Sequence, residues 1–309
     1  MKVLITDNDL GDGTLEINLL KENLNAEVLI AHCKNEDDVI KSLSEFKPDA
    51  VIVQWAPVKA KAISHMENVK IISRIGIGMD MIDLDAAAKA GIPVKNVPHY
   101  CTEEVATHAF SLGLALWRKL PQLDKELRSG KWAAASHANS IKKVSESTIG
   151  LVGTGRIGSL VGKYFSALGS RVIVFDPYAK DHGFENVELE KIAAESDLIS
   201  LHCPLTSENK HLINDAFLAS TTKNPILINT SRGGLIDPVA VDSALKSGVL
   251  SGAGLDVFEV EPLPADDLLR SAPNAILTPH SSWCSVRALP ELRKEAVMNV
   301  INFYKDAAK

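Results

Sequence analysis

Short apolar runs alternate with amphipathic stretches through the first hundred residues of the chain. The runs are short enough for strands and lie at 3–5, 28–31, 50–53, 69–72 and near Val94. Between them, apolar residues recur every three or four positions, which is typical of helices. The alternation predicts a small layer of parallel strands covered by helices.

The same alternation continues in the second half of the chain. Strands are predicted there at 149–152, 172–175, 197–202, 226–229, 253–257 and 275–277. A final helix is predicted over 291–304, because its apolar residues recur at helical spacing. A chain of 309 residues is long for a single core. The pattern therefore predicts two parallel α/β domains.

A long helix is predicted to begin at Thr102, and Pro121 is expected to stop it. The following segment, 120–147, is mostly polar, contains no clear strand and carries the isolated aromatic residue Trp132. A segment of that length without its own secondary structure is usually functional or part of an interface. We therefore expect a homodimer formed through 103–145, with this segment as an arm.

A glycine pattern lies between the runs 149–152 and 172–175, in the stretch TIGLVGTGRIGSLVGKYFSALGSRVIVFDP. Gly153 allows a tight turn, Gly155 lets a pyrophosphate approach the backbone, and Gly158 lets the helix pack on the strand. The order of strand, glycine turn, helix, strand and acid predicts a dinucleotide site rather than an ordinary turn. The pyrophosphate is expected at the N-terminus of the helix.

The acid that ends this unit, Asp176, bears on the choice of cofactor. A carboxylate at this position accepts a hydrogen bond from a ribose 2′-hydroxyl and repels a 2′-phosphate. Pro177 and Tyr178 supply no cation, and Lys180 is the nearest one. The sequence therefore favours NAD over NADP.

Two glycines two residues apart, Gly76 and Gly78, follow the fourth apolar run in the sequence RIGIGMD. At the carboxyl end of a strand such a pair exposes backbone N–H groups, and ligands of open α/β sheets bind at that edge. A plain turn before the next helix explains the pair equally well.

Three later strand ends carry polar residues of complementary chemistry: Arg232, then Asp256 with Glu261 close behind it, and finally His280. An arginine clamps a carboxylate with its planar fork, a histidine transfers a proton, and an acid holds the histidine and favours its charged form. Each residue alone also fits a structural role in a turn or core. Together, on one predicted edge beside a dinucleotide site, they indicate reversible reduction of a 2-oxo acid.

Composition narrows the remaining possibilities. A net charge of −6 and 5% aromatic residues argue against nucleic-acid binding. The four cysteines form no CxxC pair, so we expect no metal site and buried thiols in a reducing compartment. The start MKVLITD resembles a strand rather than a signal peptide, and no apolar run reaches membrane-spanning length. We expect a cytoplasmic protein without a membrane partner.

These motifs resemble the D-isomer-specific 2-hydroxyacid dehydrogenases over nearly the whole chain. The matching stretches are RIGIGMDMIDLDAAAKAGIPVKNVP, GLVGTGRIG, SDLISLHCPLT, LINTSRGGLID, GAGLDVFEVEP and TPH. The resemblance implies that Arg232, Glu261 and His280 are catalytic and that Ile77 and Gly78, with Arg232, bind the substrate. It also implies cofactor contacts from the glycine turn and from Arg156, Ile157, Asp176, Cys203, Pro204, Thr230, Ser231, Asp256 and His280, with Asp256 on the nicotinamide amide.

The resemblance further implies two Rossmann-like, doubly wound parallel-sheet domains with the active site in the cleft between them. The substrate domain is expected at 1–101 plus 286–309, and the NAD-binding domain at 102–285. The stretches PHYCTEEVATHA and HSSW are most similar to the branch that includes C-terminal binding proteins. Two functions therefore stay open: a dehydrogenase, and an NAD-sensing interaction protein with little or no turnover. The substrate stays open among glyoxylate, hydroxypyruvate, phosphoglycerate and bulkier oxo acids.

Overall fold

The structure is a computed structural model that describes residues 1–132, 134–179 and 183–307. The chain divides into two compact units, Met1–Tyr100 with Cys284–Lys309 and Cys101–Trp283. The predicted domain boundaries, after residues 101 and 285, lie beside these observed boundaries. Lys180 lies outside the described residues.

The first unit contains five strands and five helices. Its strands are β1 (Lys2–Ile5), β2 (Glu27–Ile30), β3 (Ala50–Val53), β4 (Ile71–Arg74) and β5 (Val94–Lys95). Its helices are α1 (Thr14–Leu24), α2 (Glu36–Phe46), α3 (Ala60–Ile63), α4 (Leu84–Lys89) and α11 (Ala288–Ala307). All strand pairs are parallel, in the order β2-β1-β3-β4-β5. The predicted parallel α/β layer is confirmed.

The last helix, α11, packs on the sheet of the first unit. Ser73 Oγ donates a hydrogen bond of 2.7 Å to the carbonyl of Ala296, and the hydroxyl of Tyr304 donates one of 2.8 Å to the carbonyl of Asp49. Arg293 of the same helix binds the fully buried carboxylate of Glu16 through two bonds of 2.7 Å. The chain therefore returns to its first unit at the end, as predicted.

Within its described residues, the second unit contains seven strands and six α-helices. Its strands are β6 (Thr148–Val152), β7 (Arg171–Phe175), β8 (Glu185–Asn186), β9 (Leu198–Leu201), β10 (Ile226–Asn229), β11 (Gly252–Leu255) and β12 (Ala275–Leu277). Its helices are α5 (Thr102–Trp117), α6 (Leu120–Arg128), α7 (Arg156–Ala167), α8 (Leu189–Glu195), α9 (Asp215–Ala219) and α10 (Pro238–Ser247). The strands form one parallel sheet in the order β12-β11-β10-β9-β6-β7-β8.

Both faces of this sheet are buried. Along β7, Val172 and Val174 join one apolar cluster, whereas Ile173 between them joins a second cluster. Since successive strand residues point to opposite faces, helices cover the sheet on both sides. This two-sided covering is the doubly wound arrangement that the sequence predicts.

The segment after α5 differs from the prediction. Residues 120–128 form the helix α6, and short 3₁₀ turns follow at Ala134–Ser140 and Val144–Glu146. Pro121 does not only stop α5: it lies in the first turn of α6, where a missing N–H group costs no helical hydrogen bond. The expectation of a segment without helical structure was therefore wrong.

The expectation of buried thiols holds for only two of the four cysteines. Cys33 and Cys101 are buried, Cys203 is half-buried and Cys284 is exposed. Cys284 lies in the connection between β12 and α11. In the described part of the chain, no helix is both long enough and apolar enough to span a membrane.

Candidate active site at the carboxyl edge of the second sheet

The carboxyl ends of six strands are aligned in the second unit. The register pairs Val152 with Phe175 and Leu201, then Leu201 with Asn229, Asn229 with Leu255, and Leu255 with Leu277. The residues that follow these ends therefore lie along one edge of the sheet. In spatial order from β12 to β7, they include His280, Asp256, Arg232, Cys203, Gly153 and Asp176. The edge predicted from sequence is thus present in the fold.

The glycine turn leaves room for a ligand at the start of α7. Gly153 has a φ of 92°, and a Cβ at Gly158 would lie 2.3 Å from the carbonyl oxygen of Gly153. A Cβ at Gly155 would meet no described atom within 4 Å, and no side chain caps the helix at that residue. The N–H groups of Arg156 and Ile157 begin a helix of 12 residues. This open helix start fits the pyrophosphate of a dinucleotide.

Asp176 is bound to the glycine turn from the neighbouring strand end. Its Oδ2 accepts hydrogen bonds from Thr154 N at 2.7 Å and Thr154 Oγ1 at 2.8 Å. Its Oδ1 accepts from the backbone N–H groups of Tyr178 and Ala179, both at 3.0 Å. Partial burial works to raise the pKa of Asp176, but these hydrogen bonds outweigh it, and the pKa lies below its usual value. A carboxylate is therefore fixed where the ribose is expected.

The middle of the edge offers a buried hydroxyl group, that of Thr230. Thr230 follows β10 and is 7% exposed, and its hydroxyl has no hydrogen-bond partner among the described residues. The neighbouring Ser231 Oγ donates to the carbonyl of Leu201 at 2.7 Å. An orphaned buried hydroxyl between the glycine turn and His280 fits a bound cofactor.

Cys203, predicted as a cofactor contact, lies after β9 on the same edge. Burial raises the pKa of its thiol to about 11. The group is therefore a neutral thiol near neutral pH, which suits packing against a ligand and not nucleophilic chemistry.

His280 and Glu261 form a hydrogen-bonded pair in the candidate site. His280 Nδ1 lies 2.7 Å from Glu261 Oε2, and Glu261 Oε1 accepts from the N–H of Phe258 at 2.9 Å. The two side chains are 24% and 29% exposed. A carboxylate can only accept, so Nδ1 carries a proton. The predicted pairing of these two residues is observed.

Arg232 follows β10 and its side chain is half-buried. Its Nη1 donates to the carbonyl of Ser231 at 2.7 Å. A Cβ at the next residue, Gly233, would lie 1.9 Å from the carbonyl carbon of Phe258. The backbone beside Arg232 therefore packs directly on the loop that carries Glu261.

Asp256 has a different environment from the one expected. Its side chain is fully buried. Oδ1 accepts from Thr278 Oγ1 at 2.5 Å and from Ser281 N at 2.9 Å, and Oδ2 accepts from Ser282 N at 2.9 Å. The carboxylate thus holds the turn that contains His280, and its predicted contact with the nicotinamide amide stays a prediction.

Ile77 and Gly78 belong to the first unit, where they follow β4. Both are half-buried, and Asn96 Nδ2 donates to the carbonyl of Ile77 at 2.7 Å. This bond fixes the turn after the strand. Their role in binding a substrate carboxylate stays a prediction.

Comparisons with known proteins agree with this geometry. Residues 110–282 match the family model described as D-isomer specific 2-hydroxyacid dehydrogenase, NAD binding domain. The chain is 35% identical over 297 residues to the glyoxylate reductase of Korarchaeum cryptofilum, which covers 93% of this chain and 86% of that protein. It is 39% identical over 288 residues to the hydroxypyruvate reductase of Thermotoga maritima, covering 91% of this chain and 92% of that protein.

A solved structure resembles the whole chain. It is the D-lactate dehydrogenase of Aquifex aeolicus in complex with NAD and lactic acid, which superposes with a TM-score of 0.86 at 30% identity. The match covers 98% of this chain and 96% of that one.

Proposed function

Because the chain belongs to the D-isomer-specific 2-hydroxyacid dehydrogenase family, we propose that it reversibly reduces a small 2-oxo acid to the D-2-hydroxy acid with NADH. The observation that carries the proposal is the 2.7 Å pair of His280 and Glu261 at the edge that also bears the glycine turn. A proton donor and a dinucleotide site on one edge are what reduction of a carbonyl requires.

His280 acts as the proton donor in this proposal. Its Nδ1–H bond to Glu261 keeps the ring oriented and favours the charged imidazolium. Nε2 then gives its proton to the carbonyl oxygen of the substrate, and the ring stays protonated at Nδ1. NADH, when bound along the edge, would supply the hydride to the carbonyl carbon, so that the carbonyl group becomes an alcohol. The reverse reaction needs the neutral ring, which accepts the alcohol proton at Nε2.

Arg232 binds the substrate carboxylate and carbonyl oxygen. A guanidinium offers parallel N–H donors that match a carboxylate, and it stays charged at every working pH. Its Nη1 already donates to the carbonyl of Ser231, which limits the freedom of the side chain. Ile77 and Gly78 are also proposed to bind the substrate, through their backbone N–H groups.

The cofactor is proposed to lie along the edge from β7 to β12. Asp176 would bind the ribose hydroxyls, and the start of α7 would bind the pyrophosphate. The residues that follow β9, β10, β11 and β12 would contact the nicotinamide half. The lowered pKa of Asp176 keeps a negative charge at the ribose position. That charge favours NAD(H) over NADP(H).

We also propose that the protein is a homodimer formed through 103–145. Trp132 is 91% exposed, and Leu120 and Leu127 of α6 are each 56% exposed. Large apolar side chains on one short segment are typical of a surface that a partner covers. A second copy of the chain is the partner proposed.

The proposed reaction is tested by following NADH oxidation with a panel of 2-oxo acids. Glyoxylate and hydroxypyruvate head the panel because relatives bear the names of their reductases, and pyruvate follows because a structural neighbour is a D-lactate dehydrogenase. Turnover of at least one of them is expected. No turnover of any, together with tight NADH binding, would instead favour an NAD-sensing protein.

A further inference from the structure

A histidine outside the proposed catalytic set contacts the buried centre of the turn that carries His280. His108 lies on α5, and its Nε2 is 3.1 Å from the hydroxyl oxygen of Thr278 and 3.8 Å from Asp256 Oδ1. The imidazole is 25% exposed. His108 is not among the residues proposed to contact the substrate or the cofactor.

The position of His108 follows from the packing of α5 on β11. A Cβ at Gly252 would lie 3.1 Å from Leu116 Cδ2, and a Cβ at Gly254 would lie 2.9 Å from Leu112 Cβ. Four helical residues advance about 6 Å and two strand residues advance about 6.6 Å, so the two elements stay in step. Four residues further back along α5 and two residues further along the strand, His108 therefore lies beside Asp256, the first residue after β11.

The direction of the hydrogen bonds is fixed by the groups involved. The Asp256 carboxylate accepts from Thr278 Oγ1 at 2.5 Å, so the single hydroxyl proton points to the carboxylate. The hydroxyl oxygen must then accept from His108, whose Nε2 therefore carries a proton. The result is a chain of two donors, from His108 through Thr278 to Asp256.

The other end of this chain is the turn of the proton donor. The Asp256 carboxylate also accepts from the N–H groups of Ser281 and Ser282, each at 2.9 Å. The N–H of His280 itself donates to the carbonyl of Asp256 at 2.8 Å. The two residues that follow the histidine and its own backbone N–H are thus all hydrogen-bonded to Asp256.

We propose that His108 is a positioning residue: through Thr278 it holds Asp256 in the orientation that places His280 for proton transfer. The expected effect of His108 on the reaction rate rests on the proposed function. Its expected effect on the turn that contains His280 does not. Without the Nε2–H donor, the Thr278 hydroxyl is free to turn away from the buried carboxylate, which then loses one of the hydrogen bonds that fix its orientation. A displacement of His280 by a fraction of an ångström then lowers the rate of proton transfer.

The test compares two substitutions of His108. In His108→Gln the amide Nε2 supplies an N–H donor at the position of the imidazole Nε2, whereas His108→Leu fills similar space without a donor. The matched control is Thr107→Ala on the same helix. Thr107 is exposed, and its hydroxyl donates only to the carbonyls of Glu103 and Glu104 within the described residues.

The first readout is amide hydrogen exchange of the peptide 278–283, which does not depend on activity. In His108→Leu the amides of Ser281 and Ser282 should exchange roughly tenfold faster, in line with the loss of one hydrogen bond. His108→Gln and Thr107→Ala should match the unmutated protein. Thr278→Val, which breaks the same chain at its middle, should reproduce the effect of His108→Leu. Unchanged exchange in both His108→Leu and Thr278→Val would overturn the proposal.

The second readout is steady-state reduction of a 2-oxo acid that the unmutated protein turns over. His108→Leu should lower kcat by about tenfold to a hundredfold with little change in KM, since Arg232 still binds the substrate. His108→Gln should recover most of kcat. An equal loss in both variants would make the residue a packing group and overturn the proposal. If the unmutated protein has no turnover, the proposed function fails, and the exchange result alone decides the role of His108.

Discussion

At the scale of single residues, the bond between His280 and Glu261 predicts how the reaction depends on pH. Reduction needs the imidazolium and oxidation needs the neutral ring. The Glu261 carboxylate, 2.7 Å from Nδ1, stabilises the imidazolium. In Glu261→Gln the alkaline fall of reductive kcat/KM should therefore move to lower pH, and the rise of the oxidative reaction should move with it.

Paired pH–rate profiles of the unmutated protein, Glu261→Gln and His280→Ala measure this effect. His280→Ala should lose the histidine-dependent limb in both directions. If kcat/KM of Glu261→Gln were lower at every pH but rose and fell at the same pH values as in the unmutated protein, the glutamate would not be coupled to the proton donor.

Arg232 should not tolerate lysine. An ammonium group is a point donor and does not supply the parallel N–H pair of a guanidinium. Arg232→Lys should lower kcat/KM for the 2-oxo acid by roughly tenfold to a hundredfold, the value of a charged hydrogen bond, and Arg232→Ala by more. NADH binding, measured by fluorescence, should stay nearly unchanged in both variants. Near-normal kcat/KM in Arg232→Lys would assign the residue a structural role.

Asp176 should set the cofactor preference. Its pKa lies below the usual value because hydrogen bonds from Thr154, Tyr178 and Ala179 outweigh partial burial, so the carboxylate is charged at every pH near neutrality. The unmutated protein should prefer NADH to NADPH in kcat/KM. Asp176→Asn removes the charge and keeps an acceptor for Thr154. It should therefore reduce the difference in kcat/KM between NADH and NADPH, and Asp176→Ala should do the same. Equal use of both cofactors by the unmutated protein would contradict the assignment.

At the scale of elements, a clamp joins the segment before β6 to the amino end of β9. Asp197, 7% exposed, binds Lys142 Nζ at 2.7 Å and accepts from Thr148 N at 3.0 Å. Burial works to raise the pKa of Asp197, but Lys142 and the N–H of Thr148 outweigh it, and the pKa is lowered. Because the pKa of Asp197 is lower in the folded protein than in the unfolded chain, its carboxylate stabilises the fold at pH values above the pKa of the unfolded chain. This stabilisation is lost as the pH falls through the pKa of the folded state.

Asp197→Asn should therefore reduce the free energy of unfolding at pH 7 by about 1–3 kcal/mol, the cost of losing a charged hydrogen bond in a buried place. The difference from the unmutated protein should shrink as the pH falls below about 4, where the carboxyl group protonates in the unfolded chain. Urea unfolding across this pH range measures it, with Lys143→Ala as the control. Lys143 binds only the exposed Glu146 among the described residues, so its loss should have little effect. A pH-independent difference would rule out the charged clamp.

The elements also show how far sequence reasoning reaches. The positions of the glycine turn and of the residues after β10 and β12 were predictable because the carboxyl ends of parallel strands meet at one edge of the sheet. A local pattern such as TPH, which follows a strand, therefore places its histidine at that edge. The helix α6 was not predicted because its exposed, mostly polar sequence has no buried stripe, and because the proline in its first turn is also typical of a helix end. The contacts of Asp256 were missed because they join α5, β11 and the turn after β12, and such long-range packing leaves no local pattern.

At the scale of the whole molecule, the exposed apolar residues after α5 predict a dimer. Light scattering at micromolar concentration should give twice the chain mass of 33.3 kDa. Trp132→Glu should shift the equilibrium toward the monomer, because a charge cannot be buried in an apolar interface without a partner. Val286→Glu serves as the control, since Val286 is 97% exposed and lies outside the proposed interface. A clean monomer of the unmutated protein would contradict the assembly.

The most direct test of the central claim is the configuration of the product. The unmutated protein is incubated with NADH and either hydroxypyruvate or pyruvate, and the 2-hydroxy acid formed is separated by chiral chromatography. We expect the D-enantiomer alone, in an amount equal to the NADH consumed, and no detectable product from His280→Ala in the same time. Formation of the L-enantiomer, or equal product from His280→Ala, would contradict the account.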